Sequence, residues 1–299
     1  MTNAAAAEHF AAEIPDFAQR LIDAFWPGPL TIIVPRKAGI AAASAGGQDS
    51  IGLRCPAHGV AQELLTECAK LGVHGIAAPS ANKFGKVSPT TAAHVLAEFA
   101  GEIPVLDGGA CAVGIESTII DCTRGAPVLL RPGVLTAAQL EAAMGRSLAS
   151  ESLLNSEHLT QYLPDKNAEN ASKFVSKKLL NPAPREYLGP APRASGTLAS
   201  HYAPEATLRL MNAKALQTAL DLLGADAKNI AIYARSPFRI TSSHIVLRRM
   251  PADAMATAQQ LFAVLREFDA QKVRLIWVET VPTDAAWDGV RDRLERAAA

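Results

Sequence analysis

Two stretches of strand–helix alternation, separated by residues 146–204 in which neither period is visible, constrain this chain more than any other feature. In the first stretch, short apolar runs at 30–34, 50–54, 75–78 and 104–106 read as strands. Phe17, Leu21, Ile22 and Phe25 share one helical face within 14–25, with Pro15 suited to a first turn and Trp26-Pro-Gly-Pro29 as the stop. Further helices are predicted around Val60–Cys68 and over 91–99. Residues 117–122 and 127–130 form a predicted hairpin around Thr123-Arg-Gly-Ala126. Thr136 with Gln139 reads as a capping box for a helix running to Met144. The second stretch predicts strands at 207–211, 229–233, 244–247 and 273–278, with helices at 213–223, 253–269 and 285–298. That alternation calls for a small, mainly parallel sheet with covering helices.

The intervening segment is polar at first and then rich in proline, with Pro182, Pro184, Pro190, Pro192 and Pro204. It reads as a long linker carrying an insertion. The predicted organisation is therefore an α/β domain at 1–145, a linker at 146–204 and a second, smaller α/β domain at 205–299.

Charge excludes little and favours nothing. The 29 basic and 29 acidic residues cancel, which gives no global argument for nucleic acid or an anionic membrane. No run of 18 apolar residues occurs, and the N-terminus lacks the basic cluster of a signal peptide. Cys55, Cys68, Cys111 and Cys122 show no C-x-x-C spacing and read as reduced thiols of a cytoplasmic protein. A zinc site from Cys55, His58, Cys68 and His74 would straddle a helix at no standard spacing. The plainer reading is two core thiols and two surface histidines. There is no P-loop and no G-x-G-x-x-G, so any nucleotide is held by another device.

Three clusters carry chemistry. Ala78-Pro-Ser-Ala-Asn82 follows a predicted buried strand, and Ser88-Pro-Thr90 leads into a helix, where free N–H groups favour anions. Glu116-Ser-Thr-Ile-Ile-Asp121 places polar groups at a strand start, after Asp107-Gly-Gly109 and Gly114. Leu129-Leu-Arg-Pro-Gly133 ends an apolar strand on Arg131, and Ile51-Gly-Leu-Arg-Cys-Pro56 repeats the arrangement with Arg54. A guanidinium at such a position meets either an anionic ligand or a structural carboxylate.

In order, FWPGPLT at 25–31, RCPAH at 54–58, APSAN at 78–82, SPT at 88–90, ESTIID at 116–121 and LLRPG at 129–133 resemble the synthase domain of the threonylcarbamoyl-AMP synthase family. ASHYAP at 199–204 resembles the linker signature of its two-domain form, and DRLERAA at 292–298 the end of its C-terminal domain. The resemblance implies a YrdC-like twisted mixed sheet with helices, plus a smaller Rossmann-like C-terminal domain. It implies that L-threonine, bicarbonate and ATP, with Mg2+, become threonylcarbamoyl-AMP and pyrophosphate, for use by the proteins that transfer the threonylcarbamoyl group to tRNA. Arg54, Ser117 and the backbone at Ala78 would form the threonine pocket. Ser50, Ser80, Ser88 and Arg131 would hold ATP, and Tyr202 would close over it. Positioning and cations then do the work, with no nucleophilic side chain.

Two departures stand out. Ala194-Ser-Gly-Thr197 replaces the family's Ser/Ala-Pro-Gly-Met in the linker. Nothing before Ile14 resembles the family's Thr-Glu-Thr-Val-Tyr-Gly-Leu-type opening block, so contacts from that block are expected to be lacking and turnover by this chain to be poor. The alternatives are a non-catalytic member keeping part of the pocket, or an RNA-binding module with a weak tRNA contact.

Overall fold

The structure, a computed structural model, describes residues 1–150 and 191–299. The predicted insertion lies, from 151 to 190, outside the described residues.

The N-terminal half is built on β1 (Leu30–Pro35), β2 (Ser50–Leu53), β3 (Thr118–Asp121) and β4 (Val128–Arg131), in the order β2-β1-β3-β4. β1 runs parallel to β3, and the two outer pairings are antiparallel, so the sheet is mixed, as expected. Around it lie α1 (Ala7–Phe10), α2 (Asp16–Phe25), α3 (Gly59–Lys70), α4 (Ala92–Glu98) and α5 (Ala137–Met144). The apolar stripe of α2, with Phe17, Leu21 and Ile22, joins Leu140 and Met144 of α5 in one core with Leu30, Ile32, Val34 and Ile120. Each such side chain contributes roughly 1.5–3 kcal/mol on burial. Thr136 and Gln139 form the predicted capping box, and Gly145, at φ 69°, closes α5 in the left-handed conformation that glycine adopts without strain.

Two predicted strands do not form. Residues 75–78 and 104–106 have no regular structure and are largely exposed, with Ile76 at 45% and Leu106 at 65%. An extended segment satisfies its backbone only beside another strand, and none of the described strands runs along either. A short apolar run carries a strand's composition but no signal of its partner.

The C-terminal half contains β5 (Thr207–Met211), α6 (Ala213–Leu223), β6 (Ile230–Ala234), β7 (Ile245–Arg249), α7 (Ala254–Ala270), β8 (Leu275–Glu279) and α8 (Asp288–Ala298). The order is β5-β8-β6-β7, parallel throughout. Every residue of β6 is buried, as in a strand covered on both faces. Leu216 and Leu220 of α6 pack with Ile230, Ile232 and Trp277. Phe262, Leu265 and Phe268 of α7 and Leu294 of α8 share the other core with Leu208, Tyr233 and Val278. Residues 285–298, predicted as one helix, split into a 3-10 turn (Ala285–Trp287) and α8.

That second core also takes in Val87, Ile115 and Tyr202, so it joins the two halves. The approach of the two backbones is close. A Cβ on Gly114 would lie 2.3 Å from the Ala258 carbonyl oxygen, and one on Gly289 would lie 2.4 Å from that of Gly133.

Candidate active site

The site gathers on the sheet edge where β1 and β3 begin and β2 and β4 end. Ile32 faces Leu53, Leu30 faces Thr118, and Ile119 faces Arg131. Arg54 and Ser117 therefore flank the start of β1 from either side, about two strand spacings apart, on the order of 10 Å. The Thr31 and Ser117 hydroxyls are 2.7 Å apart.

Arg131 is buried, and its guanidinium donates to oxygens of Ser117 and Ser195. Its Nε and Nη2 donate to the Ser117 carbonyl at 3.0 and 2.8 Å, and Nη2 also to Ser117 Oγ at 3.2 Å. Nη1 donates to the Ser195 carbonyl at 2.9 Å, which ties the linker to β3 and β4. Of the two roles open to a strand-end arginine, the structure shows neither a carboxylate partner nor a bare cation, but a fork onto backbone. Burial and the Arg293 guanidinium push its pKa down, while Tyr202 and Glu116 oppose the shift.

Arg54 contrasts with it. The residue is exposed by surface area, and its side chain makes no hydrogen bond or ion pair among the described residues, although the surrounding protein lowers its pKa by burial. The Cys111 thiol lies within electrostatic reach of it. Burial and then Glu116 push that thiol's pKa up, so it stays protonated at neutral pH.

Glu116 is the hub between the halves. Ser88 Oγ donates to its Oε1 at 2.5 Å, and Arg293 Nε donates to its Oε2 at 2.8 Å. Burial pushes the carboxyl upward, but Arg293, Ser88 and Arg131 together hold it below the ordinary carboxylate range. Tyr202 is buried at φ 62°, a conformation that costs a non-glycine residue about 1–2 kcal/mol. Its ring lies under the Arg293 guanidinium (5.2 Å to centroid) and against Phe262 (5.3 Å). Its hydroxyl is buried and, with that of Thr118, has no hydrogen-bond partner of good geometry among the described residues, although Arg131 lies beside it.

The linker passes over this edge. Gln48 Oε1 accepts from the Arg193 backbone N–H at 2.7 Å, just ahead of Ser50. Ser195 then sits on Arg131, and Ala203 donates to the Gly85 carbonyl at 2.9 Å, just ahead of Ser88. Gly196, at φ 77°, permits the crossing, since a Cβ there would fall 2.1 Å from the Tyr202 hydroxyl and 3.1 Å from Arg131 Nη1.

Of the residues singled out from sequence, Ser88, Ser117, Arg131 and Tyr202 share one buried network with Glu116, and Arg54 stands at its margin. Ser50 lies at the other end of β2, opposite Pro35, where the linker reaches the sheet. Ala78 and Ser80 lie exposed in the irregular segment, and no hydrogen bond ties either to the network. Sequence reading passed over Glu116 as a contact-making residue, and over Thr31, Gly196 and Arg293. For Arg293 a signal existed: it lies on the stripe of Val290, Leu294 and Ala297, the buried face of α8. Among the described residues, no group of three or more His, Cys, Asp or Glu could hold a metal ion. Cys55 is buried, Cys68 only half-buried, and His58 and His74 are exposed, so the expected second core thiol is not one. No helix among the described residues is long and apolar enough to cross a membrane.

Residues 1–133 match a family model described as "Telomere recombination", which also covers the stretch before Ile14 where no resemblance was expected. Residues 136–299, more than half of the chain, match the model "Threonylcarbamoyl-AMP synthase, C-terminal domain". The threonylcarbamoyl-AMP synthase of Pyrococcus abyssi is 45% identical over 139 residues, which are 46% of this chain and 40% of the relative. That of Bacillus subtilis is 29% identical over 97% of this chain and 75% of the relative. The crystal structure of P. abyssi Sua5 complexed with L-threonine superposes with a TM-score of 0.73 at 29% identity, over 99% of this chain and 78% of that one. A P. abyssi Sua5 variant with an adjacent His-Tyr pair changed to alanine gives 0.74 at 27% identity, over 99% and 76%. With the matched models meeting where β4 gives way to α5, and with the shared fold extending across both sheets, the chain belongs to the threonylcarbamoyl-AMP synthase family.

Proposed function

We propose that this chain is an L-threonylcarbamoyladenylate synthase, a nucleotidyltransferase that makes threonylcarbamoyl-AMP and pyrophosphate from L-threonine, bicarbonate and ATP for tRNA modification. The observation that carries the reading is the pairing of an unpartnered Arg54 with the buried Ser117–Arg131 edge, under a linker that crosses from Gln48 to Gly85. An amino-acid carboxylate supplies the bidentate partner that Arg54 lacks. The relative's complex with L-threonine supports threonine as that amino acid.

In this reading Arg54, Ser117 and the backbone at Ala78 receive threonine. Its amine condenses with bicarbonate, with loss of water, to form the N-carboxylate, whose oxygen attacks the α-phosphorus of ATP as pyrophosphate leaves. Charge builds on the phosphate, so fixed donors matter more than a nucleophile. Ser50, Ser80 and Ser88 are assigned to the nucleotide. Arg131 acts through the Ser117 and Ser195 backbone, holding the linker as a cover that excludes water. Mg2+ usually binds through one or two carboxylates plus substrate phosphates, so an ion arriving with ATP needs no preformed cage. The domain division at 145 and 205, a cytoplasmic location and hand-over of the product to tRNA threonylcarbamoyl-transfer proteins belong to the same proposal.

The test is pyrophosphate release. The reading requires release that depends on both threonine and bicarbonate. Salt-sensitive tRNA binding with no such release would favour the RNA-binding alternative instead.

A further inference from the structure

We infer that Arg293, on the last helix of the C-terminal half, is a positioning residue for the nucleotide side of the site. Its guanidinium is fully buried and is spent largely on two of the motifs that meet at the site. Nε donates to Glu116 Oε2 at 2.8 Å, Nη1 to the Pro132 carbonyl at 2.8 Å, and Nη2 to the Glu116 carbonyl at 3.3 Å. Asp292 takes a further Nη1 contact at 2.7 Å and is itself held by Arg296 at 2.9 Å. One side chain thus grips ESTIID through Glu116, LLRPG through Pro132, and the linker through the face of Tyr202.

The chain of consequence runs outward from there. Glu116 orients the Ser88 hydroxyl through its other oxygen. The Pro132 carbonyl sits one residue after Arg131, which holds Ser117 and Ser195. Tyr202 carries a strained backbone, and its ring packs on Arg293 and Phe262, which hold it in place. Gly289, one turn earlier on the same helix, lets α8 sit against Gly133 closely enough for Arg293 to reach. Arg54 takes no part in this network. A helix remote in sequence therefore governs Ser88, Arg131 and Tyr202, and it reaches the threonine pocket only through Ser117, not through Arg54.

This inference rests on the proposed assignment of ligands, and its test separates the two. In the full chain, Arg293→Met removes the fork, and Arg293→Lys keeps the charge without the fork. Hydrogen exchange reads the latch without any ligand: in both variants the amides of 85–90, 114–118 and 195–203 should exchange faster, with β5, β6 and β8 still protected. Calorimetry then reads the consequence. Arg293→Met should weaken ATP roughly tenfold to a hundredfold, a charged contact's worth, and threonine by a smaller factor, because Arg54 stays in place and only Ser117 is loosened. Arg293→Lys should fall between Arg293→Met and the parent for ATP. Unchanged exchange at those amides in a folded variant would overturn the latch. Equal loss of both ligands, or no loss of ATP, would overturn the nucleotide-side role. A parent chain that binds neither ligand would refute the functional proposal, and the exchange experiment would still decide the latch.

Discussion

Arg54→Ala should weaken threonine and spare the fold, and the reason lies in the contrast between the two strand-end arginines. Arg131 is bound to Ser117 and Ser195, so its removal would unpair buried carbonyls and free the linker. Arg54 has no such partners among the described residues and is exposed, so its loss leaves no described group unsatisfied. Surface changes of that kind stay within about 0.5 kcal/mol of stability. A hydrogen bond to a charged group is worth about 1.5–3 kcal/mol. Because the Arg54 side chain is exposed, solvent screening places it at the low end, about 1.5–2 kcal/mol, which is about ten- to thirtyfold in affinity. Calorimetric titration with threonine measures it, with the melting temperature as the control. Arg54→Lys keeps the charge but not the fork and should fall between the two. Unchanged threonine affinity in folded Arg54→Ala would refute the assignment.

Three further outcomes follow from the packing. Gly289→Ala drives a methyl into the Gly133 carbonyl, so it should cost about 1–3 kcal/mol and show as a lower melting temperature. Thr136→Ala removes the capping box of α5 and should cost about 1 kcal/mol by urea denaturation. The Glu116 carboxyl is depressed in the folded protein, so its stabilisation is complete above the unfolded value of about 4.3 and is lost as pH falls through the folded value. The melting-temperature advantage of the parent over Glu116→Gln should therefore be full at about pH 6 and shrink on acidification. An advantage that grew toward low pH would reverse the sign of the argument.

Much of the fold was legible because it is written in local pattern. The α2 stripe, the Thr136 capping box and the parallel alternation after Thr207 each follow from spacing or cap chemistry within a few residues. The segments at 75–78 and 104–106 failed because strand formation depends on a neighbour that composition does not name. The site divided along the same line. Arg54, Ser88, Ser117, Arg131 and Tyr202 stand in short motifs. What Arg131 binds could not be read there, since a guanidinium at a strand end suits a carboxylate, a ligand or backbone equally well, and tertiary structure chose backbone. Glu116 and Arg293 meet across a sequence separation of 177 residues. A buried charge on an apolar helical stripe was the only local mark of that meeting.

The central claim is tested most directly by the product itself. The chain is incubated with ATP, Mg2+, L-threonine and 13C-bicarbonate, and the nucleotides are resolved by mass spectrometry. The account predicts an adenylate that carries both threonine and the labelled carbon, formed together with pyrophosphate and absent when threonine is left out. ATP consumed to unlabelled AMP or ADP, or left intact by a folded chain that binds threonine, would contradict it.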